Sequence, residues 1–179
     1  MINDIKKKVH DFFAAGFGGP YIIAIDGMSG SGKSTLGTQI HEAFPESNLF
    51  HMDDFFLQPH QRTPERLAEI GGNVDYERFK SEVLHHLSDK SGLTYHIYDC
   101  CQQKFSEERF VPWQPLVIIE GSYSHHPYFG DAYTLKIFRK INKDLQKQRI
   151  IDRNGANAWP RFESEWIPKE NAYFTKLRT

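Results

Sequence analysis

The sequence predicts an α/β protein of one domain, residues 1–179, built as a three-layer sandwich: a parallel sheet with helices on both faces. Three observations lead there. The chain has 179 residues, close to the roughly 150 of an ordinary single domain. Short apolar runs of strand length alternate with segments of helical period, the pattern of parallel βαβ units. The first strand candidate also runs straight into a Gly-rich turn and then an amphipathic helix.

Each element can be justified in order. Ile2, Ile5, Val9, Phe12 and Phe13 recur at helical spacing and predict a leading amphipathic helix, closed by the stretch Gly16 to Gly19. Tyr21 to Ile25 is a short apolar run between Pro20 and Gly27, as expected of a buried parallel strand. Leu36, Ile40, Ala43 and Phe44 share one helical face, and Pro45 ends that helix. Asn48 to Met52 reads as a second strand. Phe79, Val83 and Leu87 mark a helix after Asp75, and Leu93 to Cys100 a strand or strand-like arm. Leu116 to Ile119 is an apolar core after Pro115 and before Gly121. Tyr133 to Phe138 is another strand candidate, followed by a polar helix from about Asn142 to Arg153.

Composition narrows the function classes. With 39% hydrophobic residues the chain can build a core, and 22 Lys+Arg against 23 Asp+Glu give a net charge of -1. That balance supplies no general attraction to nucleic acid or to an anionic membrane, so neither is an expected partner and an anionic ligand must be held by a local site. The cysteines, Cys100 and Cys101, are adjacent and would point to opposite faces of a strand, which makes neither a disulfide framework nor a metal site. A reducing, cytoplasmic setting is expected, with no signal-peptide core and no run of about 18 apolar residues.

The local site is Gly27-Met28-Ser29-Gly30-Ser31-Gly32-Lys33-Ser34, followed by Thr35. It satisfies the phosphate-loop (Walker A) pattern G-x-x-x-x-G-K-[ST] and lies between an apolar strand and an amphipathic helix, where that pattern has meaning. Glycines let backbone N–H groups turn toward one point, and the helix N-terminus adds partial positive charge. Lys33 should reach the β- and γ-phosphates of a nucleotide, and Ser34 is the expected Mg²⁺ ligand. The fold expected is therefore that of a P-loop NTPase.

Ligands of an open parallel sheet collect at the carboxyl ends of its strands, which singles out acids that close apolar runs. Glu120 ends Leu116 to Ile119, where a carboxylate would hold a magnesium-bound water. Asp53 and Asp54 follow Phe50-His51-Met52; alternation aims one of them at the nucleotide, and Asp53 is favoured as the acceptor-side base, with ordinary turn acids as the plain alternative.

These residues resemble the uridine kinase and phosphoribulokinase group of P-loop kinases, especially bacterial uridine kinase-related proteins. The resemblance covers most of the chain: Ile25-Asp26-Gly27 through Thr35, Met52 to Phe56, Asn73-Val74-Asp75, Tyr98-Asp99, Ile119-Glu120-Gly121, and Arg149 to Gly155. It implies that Asp53 accepts the proton of a sugar hydroxyl and that Asp75 binds ribose hydroxyls, although an Asp before a helix is equally a good N-cap. It also implies substrate contacts by Phe56 and by the arm carrying Tyr98. Gln103 falls where the family has a base-reading His, so the acceptor's base contacts are altered.

Arg149, Arg153 and Arg161 lie in a polar segment with Asn154, Gly155 and Asn157, a composition suited to a lid over about 149–162. Related kinases close an Arg-bearing lid over the phosphates, which implies catalytic roles for Arg149 and Arg153. Phe162, Trp166, Tyr173 and Phe174 read as packing anchors. The family usually adds a further strand that frames the adenine, and the sequence ends at Thr179 without one. His125 and His126 read as a loop near the acceptor rather than as metal ligands.

Taken together, the motif and the resemblance imply a kinase using ATP and Mg²⁺ on a hydroxyl of a small molecule, a nucleoside first among them. A homo-oligomer is left open. Two alternatives stand beside this reading. One is a nucleoside monophosphate kinase, for which Arg62, Arg66 and Arg78 would supply the extra cations. The other is a non-catalytic ATP-binding regulatory module. Guanine specificity is disfavoured, because Asn142-Lys143-Asp144 places its Asp one residue early for the Asn-Lys-x-Asp motif.

Overall fold

Four strands, all parallel, form the central sheet in the order β2-β5-β1-β6. They are β1 (Tyr21–Gly27), β2 (Ser47–His51), β5 (Leu116–Glu120) and β6 (Leu135–Arg139). The computed structural model describes residues 1–177. β1 and β5 lie in the middle of the sheet and are covered on both faces, which is why their sequences are unbroken apolar runs instead of alternating ones.

Two helices cover one face. From α1 (Ile2–Ala14) come Ile5 and Val9, from α2 (Lys33–Ala43) Leu36 and Ile40; these pack on Tyr21, Ile23, Ile25, Leu116 and Ile118. Burial of each such side chain contributes about 1.5–3 kcal/mol. Phe13, expected on the same stripe, is 38% exposed.

The second face is aromatic. Phe50, Val117 and Ile119 of the sheet meet Phe55, Phe79, Tyr95, Tyr123, Phe129, Tyr173 and Phe174. These come in part from α4 (Tyr76–Glu82) and α7 (Ile167–Lys176). Phe55 stands edge-on to Phe79 at 4.9 Å and stacks with Tyr95 at 5.4 Å, favourable arrangements for aromatic pairs.

The arm from Leu93 belongs to a separate two-stranded antiparallel hairpin, β3 (Leu93–Asp99) with β4 (Lys104–Val111). β4 is a correction to the sequence reading: its run Lys-Phe-Ser-Glu-Glu-Arg-Phe-Val has no clean alternation, since the strand is almost wholly solvated. A short α3 (Pro64–Ala68), N-capped by Thr63, was also not anticipated.

The polar helix is α5 (Lys143–Asn154), N-capped by Asn142. Beyond it the segment read as a lid is helical: α5 leads through a 3₁₀ turn to α6 (Trp159–Arg161), a π turn over Phe162–Trp166, and α7. Of the four expected packing anchors Phe162, Tyr173 and Phe174 are buried, while Trp166 is half-buried, edge-on to Phe162 at 4.4 Å. No helix among the described residues is long and apolar enough to cross a membrane.

Candidate active site

Because the sheet is parallel, β1, β2 and β5 all end on one edge, at Gly27, His51 and Glu120. The phosphate loop leaves β1 there. Gly27 has φ 144°, and a Cβ on it would lie 2.1 Å from the carbonyl oxygen of Arg139, so only glycine fits. Gly32, at φ 84°, is the left-handed N-cap of α2.

The loop's backbone groups divide cleanly. Gly27 N–H donates to Asp26, Met28 N–H to the Arg139 carbonyl, Ser29 N–H to Glu170 and Ser31 N–H to the Met28 carbonyl. The N–H groups of Gly30, Gly32, Lys33 and Ser34 have no such partner among the described residues, leaving a helix N-terminus and two glycine amides for an anion. Three consecutive carbonyls are held from outside: Ser29 by Gln146 Nε2 at 3.0 Å, Gly30 by Arg149 Nη1 at 3.1 Å, and Ser31 by Arg139 at 3.3 Å. In a trans peptide the next residue's N–H points opposite to the C=O. Holding the Ser29 and Ser31 carbonyls outward therefore turns the amides of Gly30 and Gly32 inward.

Lys33 donates its ammonium to the carbonyls of Gly27 and Met28, at 2.8 and 3.2 Å. Ser34 Oγ donates to Glu120 Oε2 at 3.1 Å, and the buried Glu120 takes His51 Nδ1 on its other oxygen at 2.6 Å. His51 and Glu120 are register partners on β2 and β5, so they emerge on the same face. The hydrogen bond that His51 donates to Glu120 raises the His51 pKa against the opposing effect of burial. The Ser34 and Glu120 oxygens form the hard-donor pair that suits Mg²⁺ when phosphate oxygens and water complete the shell. No group of three or more His, Cys, Asp or Glu among the described residues converges to hold an ion alone.

A 3₁₀ turn, Met52–Phe55, parts the two aspartates. Asp54 accepts from the Tyr95 hydroxyl at 3.3 Å, toward the hairpin. Asp53 is solvent-exposed at the same edge, within electrostatic reach of Glu120, Lys33 and Arg153. Partial loss of solvent around its carboxylate and then repulsion from Glu120 push its pKa up, while Lys33 and Arg153 pull the other way. The structure thus brings Asp53, Glu120, Lys33 and Ser34 to one edge. Arg149 sits against the loop's outer face, and Arg153 is solvent-exposed, its Nε donating to Asn154. Arg161 pairs with Glu165 and lies over Trp166, apart from that edge.

The acceptor-side expectations fare unevenly. Asp75 is the N-cap of α4, accepting from Arg78 N–H at 3.0 Å and from Gln61 Nε2 at 2.9 Å. Phe56 bridges to Val74 beside it, and Tyr98 is buried in β3. Gln103 is solvent-exposed in the hairpin turn at φ 54°, with no side-chain hydrogen bond to the site. Arg66 is engaged by Tyr76, Glu77 and the Val74 carbonyl, and Arg78 by the carbonyls of Asp54 and His96. The histidine rings serve the backbone: His125 Nε2 donates to Ala24 and His126 Nε2 to Ile70, each at 3.0 Å, and burial lowers both pKa values.

Arg139, Gln146, Glu170 and the buried Asp26 escaped sequence reasoning. Their partners are backbone groups or residues distant in sequence, and no local spacing announces such contacts.

No family model matches the chain. Human nicotinamide riboside kinase 2 is 29% identical over 143 residues, 74% of this chain and 57% of that protein. The uridine kinase of Alkaliphilus metalliredigens is 29% identical over 146 residues, 75% and 68% of the respective chains. The matched part of the chain spans from 34% to 68% of the length of the curated relatives it matches. Among solved structures, a Silicibacter protein provisionally called a fructose transport system kinase superposes with a TM-score of 0.77 at 20% identity, over 98% of this chain and 94% of that one. A Bacillus stearothermophilus protein described as a possible uridine kinase gives 0.65 at 21% identity, over 92% and 91%. By fold and by sequence, the chain resembles the uridine kinase group of P-loop kinases.

Proposed function

We propose that this protein is a kinase that transfers the γ-phosphoryl group of ATP to a hydroxyl of a small molecule, in a magnesium-dependent reaction, with a nucleoside as the favoured acceptor class. One observation carries the reading: Lys33, the unpaired amides of Gly30 and Gly32, the Ser34–Glu120 pair and Asp53 converge on one edge of the sheet. Sequence likeness to uridine and nicotinamide riboside kinases supports the acceptor class.

In this mechanism the amides and Lys33 bind and orient the phosphates, as a preorganised cradle should. Ser34 and Glu120 would hold Mg²⁺, which when bound neutralises charge on the β- and γ-phosphate oxygens. Asp53 takes the proton as the acceptor oxygen bonds to the γ-phosphorus and the bond to ADP breaks. Its raised pKa suits a base. Arg153 is in range to offset charge there, and Arg149 keeps the loop in shape. Phe56, Asp75, Tyr98 and Gln103 are assigned to the acceptor by family resemblance.

The monophosphate kinase alternative is weakened because two of its three candidate arginines, Arg66 and Arg78, are committed to structural contacts. The test is magnesium-dependent ADP production across nucleosides, nucleotides and small sugar alcohols. Acceptor-dependent turnover is the expected result; tight ATP binding with no acceptor-stimulated turnover would reject the kinase in favour of a regulatory module.

A further inference from the structure

We propose that Glu170 is a positioning residue of the phosphate loop: its carboxylate, carried by α7, staples Ser29 of the loop to Ser122 behind Glu120 and fixes the cradle's distance from that acid. This deepens the kinase reading and rests on it.

Glu170 Oε2 accepts the Ser29 N–H at 3.0 Å, and Oε1 accepts the hydroxyls of Ser29 at 2.6 Å and Ser122 at 3.0 Å. Glu170 is only 4% exposed, and none of these partners is charged. A buried carboxylate with no ion pair among the described residues is costly and persists only where donors converge on it. An apolar side chain would pack α7 at lower cost, so the charge calls for another role. What it does locally is definite. It draws the Ser29 amide out of the cradle, while Gln146 holds the carbonyl of the same residue from the other side. Ser122 comes two residues after Glu120, so one carboxylate joins the loop that holds phosphate to the loop that follows β5 and the acid facing Ser34.

A second tie from the same helix joins the same two loops. Tyr173, three residues on and therefore on the same face, donates its hydroxyl to Asp26 at 2.6 Å. Asp26 in turn accepts the N–H groups of Gly27, at the start of the phosphate loop, and of Tyr123 and His125, beyond Glu120. Two independent bridges from α7 thus set one distance. Displacing catalytic groups by about 1 Å can cost about 100-fold in rate, so a helix that touches no substrate can still govern nucleotide binding and turnover.

The experiment uses the full chain and three variants, Glu170→Gln, Ser122→Ala and the double variant. The readouts are the ATP dissociation constant by calorimetry, with and without Mg²⁺, the KM for ATP, and the melting temperature. Glu170→Gln should melt as a folded protein and bind ATP about 10-fold or more weakly, with KM rising in parallel. Ser122→Ala should weaken binding several-fold. The double variant should be no weaker than Glu170→Gln, because Ser122 acts only through Glu170. ATP binding by Glu170→Gln within about twofold of wild type, or a Ser122→Ala effect that multiplies in full on top of it, overturns the proposal. Should Glu170→Gln not fold, Ser122→Ala decides alone, and an unchanged dissociation constant there overturns it. A wild type that binds no nucleotide overturns the kinase reading and this proposal with it; wild-type binding with unaffected variants overturns this proposal alone.

Discussion

Tyr173→Phe removes a single oxygen from the interior, and the structure says what that oxygen does. Tyr173 is fully buried, and its hydroxyl lies 2.6 Å from Asp26 Oδ2. The ring keeps its neighbours, Tyr123 at 4.8 Å and Phe174 at 5.2 Å, so packing changes little. A hydrogen bond to a charged group contributes about 1.5–3 kcal/mol. Three backbone N–H groups, from Gly27, Tyr123 and His125, still reach the Asp26 carboxylate. The charge is therefore not stranded, and about 2 kcal/mol is the expected loss. In a chain of this size each kcal/mol moves the melting temperature by about 2–4 °C, so Tyr173→Phe should melt about 4–8 °C below wild type. Thermal unfolding without nucleotide, followed by circular dichroism, checks this. A melting temperature within about 1 °C of wild type would refute the claim that this bond holds α7 to the two loops.

Lys33→Ala should fold normally and lose about 10²- to 10³-fold in turnover, as expected for one preorganised donor; wild-type turnover would remove Lys33 from the mechanism. Asp53→Asn should retain ATP binding, measured by calorimetry, while phosphoryl transfer falls at least about 100-fold. Since partial desolvation of its carboxylate and Glu120 raise the Asp53 pKa, activity should fail on the acid side at a higher pH than an ordinary aspartate would give. The same shift favours the protonated form in the folded state, so Asp53 costs stability as pH rises from its unfolded value through its raised folded value. Because Asp53 is exposed and its charge is screened by solvent, Asp53→Asn should raise the melting temperature only slightly near neutral pH, and the gain should vanish below the unfolded pKa; a pH-independent difference would contradict this. Gly27→Ala, whose Cβ would lie 2.1 Å from the Arg139 carbonyl oxygen, should abolish ATP-induced thermal stabilisation. Normal stabilisation by ATP would show that the loop can move aside.

The parallel sheet was legible because β1 and β5 are buried on both faces and spell continuous apolar runs. The phosphate loop was legible because positive φ at fixed positions requires glycine, and because Lys33 and Ser34 must follow at the helix start. β4 was not legible: a solvated hairpin strand carries no alternation to read. Glu120 could be singled out from its place at a strand end, and in the structure it closes β5 and accepts from Ser34 Oγ. Asp53 and Asp54 could be told apart only weakly, since a 3₁₀ turn, which no alternation rule describes, directs Asp54 to Tyr95.

By itself the sequence determined the elements whose chemistry is local, namely the strand and helix periods, the glycine-dependent loop and the acids that close strands. Tertiary structure alone decided which side chains hold that loop in shape. Arg139, Gln146, Arg149 and Glu170 reach it from more than a hundred residues away. Their hydrogen bonds go mostly to backbone atoms, which every residue possesses, so nothing in the loop's own sequence names its partners; only the packing of β6, α5 and α7 brings them there.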